Sequence, residues 1–233
     1  MKILGISGSP RPNKISGSHT LLTTALEATG CEYELVSLKG SKILGCIACL
    51  RCVKDNVCKV EDDMQELREK VVAADAYIIG APNYFSTISA TTHAFLERWY
   101  QFRHVEGEDV TGKLGVAIGV GGKMGTLPAK EIAKFYTYNL IETVAMVSGQ
   151  GAASCFDCGY GETCKVGSIY QMYGPGFKIT EETTPNVTKQ PDVMQAAKDA
   201  GELLGNRLRE GNDRKETAKR VAKGIAEMLK SLS

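Results

Sequence analysis

Five short apolar runs, spaced along the chain and separated by helix-period segments, constrain the fold of this chain more than any other feature. They are "KILGIS" (2–7), "EYELVSL" (32–38), "AYIIGAP" (76–82), "KLGVAIGVGG" (113–122) and "AMVSGQ" (145–150). Runs this short, rich in Ile, Val and Leu and closed by Gly, Pro or Ser, predict strands buried on both faces. Between them the apolar spacing turns helical. One segment covers 18–30 and closes at Gly30, and a second runs over 64–74 behind Asp62 or Asp63 as N-cap. A third covers 89–102, with Phe95, Leu96 and Trp99 at core spacing, and a fourth spans 128–144 behind Pro128. Strands alternating with helices pair in parallel, and right-handed crossovers leave a doubly wound sheet covered on both faces. The expected fold class is α/β.

Residues 151–190 are glycine-rich without a period, and a helical pair follows at 192–209 and 213–232, broken at "EGND". The expected organisation is one domain over 1–150 with a cysteine loop at 45–60, and a segment 151–233 packed on that domain. At 233 residues the chain can bury a full core. Its net charge of +1 argues against nucleic acid or an anionic membrane surface as partner. No apolar run approaches the roughly 20 residues that span a bilayer. The opening "MKILGISGSPRP" reads as a strand and its turn, not as a signal peptide. The expected compartment is therefore cytoplasmic, where clustered cysteines serve metal or redox chemistry more often than disulfides.

In such a sheet a ligand sits beyond the carboxyl ends of the strands. The segment after the first strand, "SGSPRPNKISGSHT", combines small residues, hydroxyls and an arginine ahead of a helix start. A helix N-terminus there suits a monophosphate. The loop is neither a G-x-G-x-x-G dinucleotide fingerprint nor a Walker loop. Taken alone, a plain strand–helix turn with a solvated arginine explains it equally well. After the third strand, "APNYFSTIS" offers Tyr84 and Phe85 to flank a flat ring, although core packing would account for either. After the fourth, "GVGGKMG" adds a third permissive loop on the same edge. Three such loops at one crevice point to a phosphate-bearing planar cofactor.

Four cysteines, Cys46, Cys49, Cys52 and Cys58, crowd one loop at C-x2-C-x2-C-x5-C spacing. Iron–sulfur clusters take runs of this kind, with a variable fourth ligand. Structural zinc usually separates two C-x2-C pairs widely, so the triple fits a cluster better. Cysteines that merely pack the loop are the plain alternative. A second set, Cys155, Cys158 and Cys164, repeats the C-x2-C-x5-C spacing. Three thiolates fall one short of a closed tetrahedral site, so structural zinc, an incomplete cluster and reactive surface thiols all stand. Cys31 reads as a small buried apolar residue. His93 and His104 read as structural or solvated. Val221, Ile225, Met228 and Leu229 form an apolar stripe that packs on the domain or on a sister subunit.

"ISGSPR" with its Ser/Thr-opened helix, "DDM" and "GAPNYFSTISATTHAFLERW", in that order, resemble the flavodoxin-like NAD(P)H-dependent FMN reductase family. With "CIACLRCVKDNVC" between the second strand and the second helix, the chain resembles the iron–sulfur flavoprotein branch of that family. The resemblance covers roughly residues 1–150 and implies a flavodoxin-like five-stranded sheet of order 2-1-3-4-5 with a C-terminal helical extension. It implies that Ser9, Arg11, Ser18, His19 and Thr20 hold the FMN phosphate. It assigns Pro82, Asn83, Tyr84, Phe85 and Ser86 to the isoalloxazine and Gly121 and Gly122 to the ring's outer edge. "PNKIS" lengthens the phosphate loop beyond the usual family pattern. The resemblance also implies a [4Fe–4S] cluster on Cys46, Cys49, Cys52 and Cys58. No catalytic side chain is nominated, because the cofactor carries the chemistry. The implied activity is an FMN-dependent oxidoreductase linking a two-electron flavin to the cluster. NAD(P)H or a ferredoxin-like carrier would act as donor, with a small redox substrate as acceptor, in a homodimer or homotetramer. A cluster-free NAD(P)H-dependent FMN or quinone reductase with structural cysteines or zinc, and a flavin-binding sensor or thiol-based redox module without turnover, are the rival readings.

Overall fold

The structure is a computed structural model that describes residues 1–105 and 107–230. All five apolar runs form strands: β1 (Lys2–Ser7), β2 (Glu32–Ser37), β3 (Ala76–Tyr84), β5 (Leu114–Gly121) and β6 (Glu142–Gln150). They pair in parallel in the order β2-β1-β3-β5-β6. This is the expected 2-1-3-4-5 order once a short strand β4 (Thr87–Ile88), antiparallel to β3, is set aside. β4 was not expected. It arises because Phe85 and Ser86 both take left-handed conformations (φ 51° and 68°), which closes a two-residue hairpin between Tyr84 and Thr87. Neither residue is the Gly or Asn that would announce such a turn in sequence.

Side-chain alternation along the strands splits the core into two layers. Leu4, Ile6, Tyr77 and Ile79 face α2 (Met64–Ala73), α3 (Ala90–Glu97) and α4 (Thr126–Tyr138) around buried Trp99. Ile3, Ile78, Val116 and Ile118 face α1 (Gly17–Ala28) and α6 (Pro191–Arg209). The short α5 (Ser168–Tyr173) lies in the segment between β6 and α6. A Cβ added at Gly201 or Gly205 would stand 2.1 Å from the carbonyl oxygens of Ala25 and Thr29, so only glycine lets α6 approach α1 this closely. The helix that covers this face therefore arrives only after residues 151–190 have wrapped the sheet's carboxyl edge.

Three boundaries move. α4 ends at Tyr138, not 144, because the Asn139 side chain bonds the Phe135 carbonyl (2.8 Å) and Leu140 turns left-handed (φ 55°). β6 accordingly starts at Glu142. The third helical segment divides, α3 giving way to a 3₁₀ stretch over Arg98–Arg103. The last helix, α7, runs Arg214–Lys230, and the end of its expected 213–232 span lies outside the described residues.

Candidate functional site

A cavity of about 450 Å³ opens beyond the carboxyl ends of β1, β3 and β5, where this sheet topology places ligands. Ser9, Arg11, Ser18, Pro82, Asn83, Tyr84, Phe85, Gly121 and Gly122 line it. His19, Thr20 and Ser86 are not among its lining residues. His19 has a buried Nδ1 without a hydrogen-bond partner, and burial lowers its pKa. Sequence reasoning missed two parts of the lining. The lengthened loop contributes Lys14 to Gly17, and the segment after β6 contributes Gly151 to Ser154, Asp157, Ser168 and Thr184 to Val187. The latter carry no motif and become wall only because the chain returns across the sheet edge on its way to α6.

One end of the cavity suits a phosphate. Ser16, not Ser18, caps α1, its Oγ accepting the His19 N–H at 3.2 Å. The N–H groups of Gly17 and Ser18 have no carbonyl inside the helix to bond. A Cβ at Gly17 would meet Val187 at 3.1 Å, so the loop tolerates little more than glycine there. Arg11 reaches across the cavity, donating from Nη1 to the Ala152 carbonyl (3.0 Å) and pairing through Nη2 with Asp157 (3.0 Å). Its first role is thus a strut between the β1 loop and the segment after β6.

The other end suits a flat ring. Phe85 is fully exposed although its backbone is left-handed, a costly conformation for an aromatic residue. Beside it, Asn83 donates to the Met124 carbonyl (3.0 Å), while its buried Oδ1 has no partner. A ring N–H would satisfy that acceptor. The volume falls within the range of roughly 300–1,000 Å³ usual for cofactor pockets. Free helix N–H groups, an orphaned acceptor and an exposed aromatic together fit a phosphorylated tricycle such as FMN.

The first cysteine loop is held by a few long-range bonds, and none of its residues lines this cavity. Arg98 is fully buried and donates to the Leu44 carbonyl (3.0 Å), the Val60 carbonyl (3.3 Å) and Asp62 Oδ2 (2.6 Å). Burial raises the Asp62 carboxyl, but Arg98 and the N–H groups of Leu44 and Met64 outweigh it and the net shift is downward. Glu97 accepts the Cys46 N–H (3.2 Å) and Gln101 accepts the Cys58 N–H (2.9 Å). Ala48 and Leu50 turn left-handed (φ 52° and 55°), curling the chain between the thiols. Burial raises the Cys52 thiol, and the neighbouring Cys58, Cys46 and Cys49 raise it further. Arg51 lowers the Cys49 thiol through hydrogen bonds. Four thiols on one loop form a donor set suited to cationic iron.

A chain of polar contacts runs from that loop to the hairpin. Glu131 on α4 accepts from Thr87 Oγ1 (2.6 Å) and the Ile88 N–H (2.9 Å) with one oxygen and meets His93 Nδ1 (3.1 Å) with the other. His93 Nε2 stands 3.5 Å from Glu97, the carboxylate that holds Cys46. Sequence reading left His93 as structural; its place in this chain depends on contacts no local pattern announces.

The second cysteine set is arranged otherwise. Cys155 Sγ lies 3.2 Å from Ser168 Oγ, and Cys158 Sγ lies 3.5 Å from the Cys155 carbonyl oxygen. The Ser168 hydroxyl, opposed by burial and helped by the N–H groups of Ser168 and Ile169, lowers the Cys155 thiol. Among the described residues, no three Cys, His, Asp or Glu side chains in either loop are already gathered at metal-ligating range. None of the described helices is long and apolar enough to cross a membrane.

The family described as NADPH-dependent FMN reductase matches residues 1–155. An iron–sulfur flavoprotein of Methanocaldococcus jannaschii is 33% identical over 151 residues, which are 63% of this chain and 76% of the relative. Iron–sulfur flavoproteins of Methanosarcina thermophila (33%; 63% of this chain, 77% of the relative) and Archaeoglobus fulgidus (32%; 63% and 75%) are similar to the same extent. Among solved structures, RosB with a bound formylriboflavin phosphate intermediate superposes with a TM-score of 0.61 at 14% identity, over 100% of this chain and 88% of that one. The Trp repressor binding protein of Bacillus subtilis superposes with a TM-score of 0.54 at 17% identity, over 85% and 98%. At these identities the structural likeness speaks to the fold.

Proposed function

Because the chain belongs to the NADPH-dependent FMN reductase family, in its iron–sulfur flavoprotein branch, we propose that this flavin-dependent oxidoreductase links FMN in the carboxyl-edge cavity to a [4Fe–4S] cluster on Cys46, Cys49, Cys52 and Cys58. One observation carries the reading. Glu97 holds the Cys46 N–H and, through His93 and Glu131, is tied to the hairpin that presents Tyr84 and Phe85 to the cavity. These contacts support a reading in which the four-thiol loop and the hairpin move together. When bound, FMN would accept electrons in pairs and release them singly, while a cluster passes them one at a time.

The chain's own groups divide the remaining work. The first-turn N–H groups of Gly17 and Ser18 would meet the phosphate, with Ser9 beside them. The orphaned Asn83 Oδ1 would accept from the ring, and Tyr84 and Phe85 would cover it and exclude water. NAD(P)H or a ferredoxin-like carrier is the proposed donor, and a small redox substrate the acceptor. Leu44, Ile47, Leu50 and Val53 are exposed around the thiols. They supply an apolar face through which a second copy would dock, in a homodimer or homotetramer. Flavin and metal analysis of anaerobically purified protein tests this: one FMN and about four irons per chain are expected. One FMN with iron below one per chain after reconstitution would leave a cluster-free reductase. Absence of flavin would sink the cavity assignment itself.

A further inference from the structure

The second cysteine set is absorbed by neither proposed cofactor site, and residues beside its first two members, Ser154 and Asp157, line the cavity. Its first two members are Cys155 and Cys158 in the turn "CFDC", whose first two residues lie in a 3₁₀ turn over Ser154–Phe156. Cys158 is exposed and Cys155 half-buried. Cys158 Sγ is 3.5 Å from the carbonyl oxygen of Cys155, and the Cys155 side chain branches from the Cα bonded to that same carbonyl carbon. The two thiols stand in a C-x-x-C turn, the spacing of exchange-active dithiols. The flanking residues Ser154 and Asp157 line the cavity, as does Ser168, whose hydroxyl stands 3.2 Å from Cys155 Sγ. Asp157, between the two cysteines, makes the ion pair with Arg11. Cys164 packs beside Gly167, where an added Cβ would meet its Sγ at 3.2 Å.

We propose that Cys155 and Cys158 form a reversible dithiol–disulfide couple in the turn that carries Asp157 of the cavity wall, oxidised by exchange with small-molecule disulfides. Exposed Cys158 attacks one sulfur of the incoming disulfide, forming a mixed disulfide and releasing the first small thiol. Cys155 then attacks the Cys158 sulfur, closing the Cys155–Cys158 bond and releasing the second small thiol. Two protein thiols and one small disulfide thus become one protein disulfide and two small thiols, with both protons retained on the products. The Ser168 hydroxyl donates to the Cys155 sulfur as it ionises, and the same contacts already hold that thiol below its ordinary value. Closure ties the turn carrying Asp157, so the couple is positioned to change how Arg11 braces the cavity.

The couple is independent of whether flavin or iron is present, and the test keeps them separate. The full chain is equilibrated in glutathione buffers of graded ratio, remaining thiols are alkylated, and peptides are sequenced by mass spectrometry, with flavin and iron measured on the same samples. The expected result is a Cys155–Cys158 bond whose oxidised fraction follows the ratio of oxidised glutathione to the square of reduced glutathione, as a two-electron exchange requires. The Cys155→Ser variant is expected to accumulate glutathione on Cys158, while Cys164→Ser leaves the couple unchanged. A chain in which Cys158 pairs with Cys164, or in which neither Cys155 nor Cys158 is oxidised at any ratio, overturns the proposal.

Discussion

Cys49, Cys52 and Cys58 are spaced as Cys155, Cys158 and Cys164 are, yet their surroundings have little in common. In the first loop Cys52 is raised by burial and by the other three thiols, and the backbone is pinned by Glu97, Arg98 and Gln101. In the second, Cys155 is held by a serine hydroxyl and Cys158 rests against the neighbouring carbonyl. Spacing sets which sulfurs can reach one another. What else faces them decides whether they suit a metal or a dithiol.

The contrast breaks most visibly in iron content. Cys52→Ser is expected to drop anaerobically prepared protein from about four irons per chain to below one, whereas Cys158→Ser keeps the full complement. Equal losses from both variants would mean the two loops serve one metal site. Stability sharpens it next. Arg98→Met leaves Asp62 buried and unpaired, and chemical denaturation is expected to register a loss of about 3–5 kcal/mol. Asp157→Asn breaks a more exposed pair and is expected to cost within about 1 kcal/mol. Because the Asp62 pKa is depressed in the folded chain, its contribution is complete above the ordinary carboxylate pKa of about 4. It is lost as pH falls through the lower folded value. The stability gap between the native chain and Asp62→Asn should therefore narrow in acid.

The smallest effects are expected at the cavity, whose hairpin wall leans on the first loop and whose opposite wall carries the second. Phe85→Gly removes a ring contact and relieves a left-handed backbone. FMN titrated by fluorescence quenching is expected to bind about tenfold more weakly, with stability unchanged or raised by up to about 1 kcal/mol. Asp157→Asn is expected to weaken FMN by no more than about threefold. The reverse order would put the ring against the second loop.

Much of the site was readable because it lies on segments whose pattern is local. The strand-end loops "SGSPRP" and "APNYFS" carry their own small, hydroxylic or aromatic residues, and both reach the cavity. What was not readable depends on distant partners. Arg11 meets Asp157 from across the chain, and Val187 closes over Gly17. The segment 151–187 has no period because it follows the sheet's edge instead of forming an element of it. The β4 hairpin was hidden because Phe85 and Ser86 adopt a conformation that sequence assigns to glycine and asparagine.

By itself the sequence pattern determined the layered parallel sheet and the edge to which its permissive loops run, while the strand order followed from the family resemblance. Burying short apolar runs between amphipathic helices leaves few other arrangements. Only the tertiary structure decided which residues wall the cavity and how two equally spaced cysteine sets differ. Both depend on side chains far apart in the chain, such as Arg98 with Asp62 and Glu131 with His93. Contacts of that kind are selected by packing and charge after the chain has folded, and no local pattern encodes them.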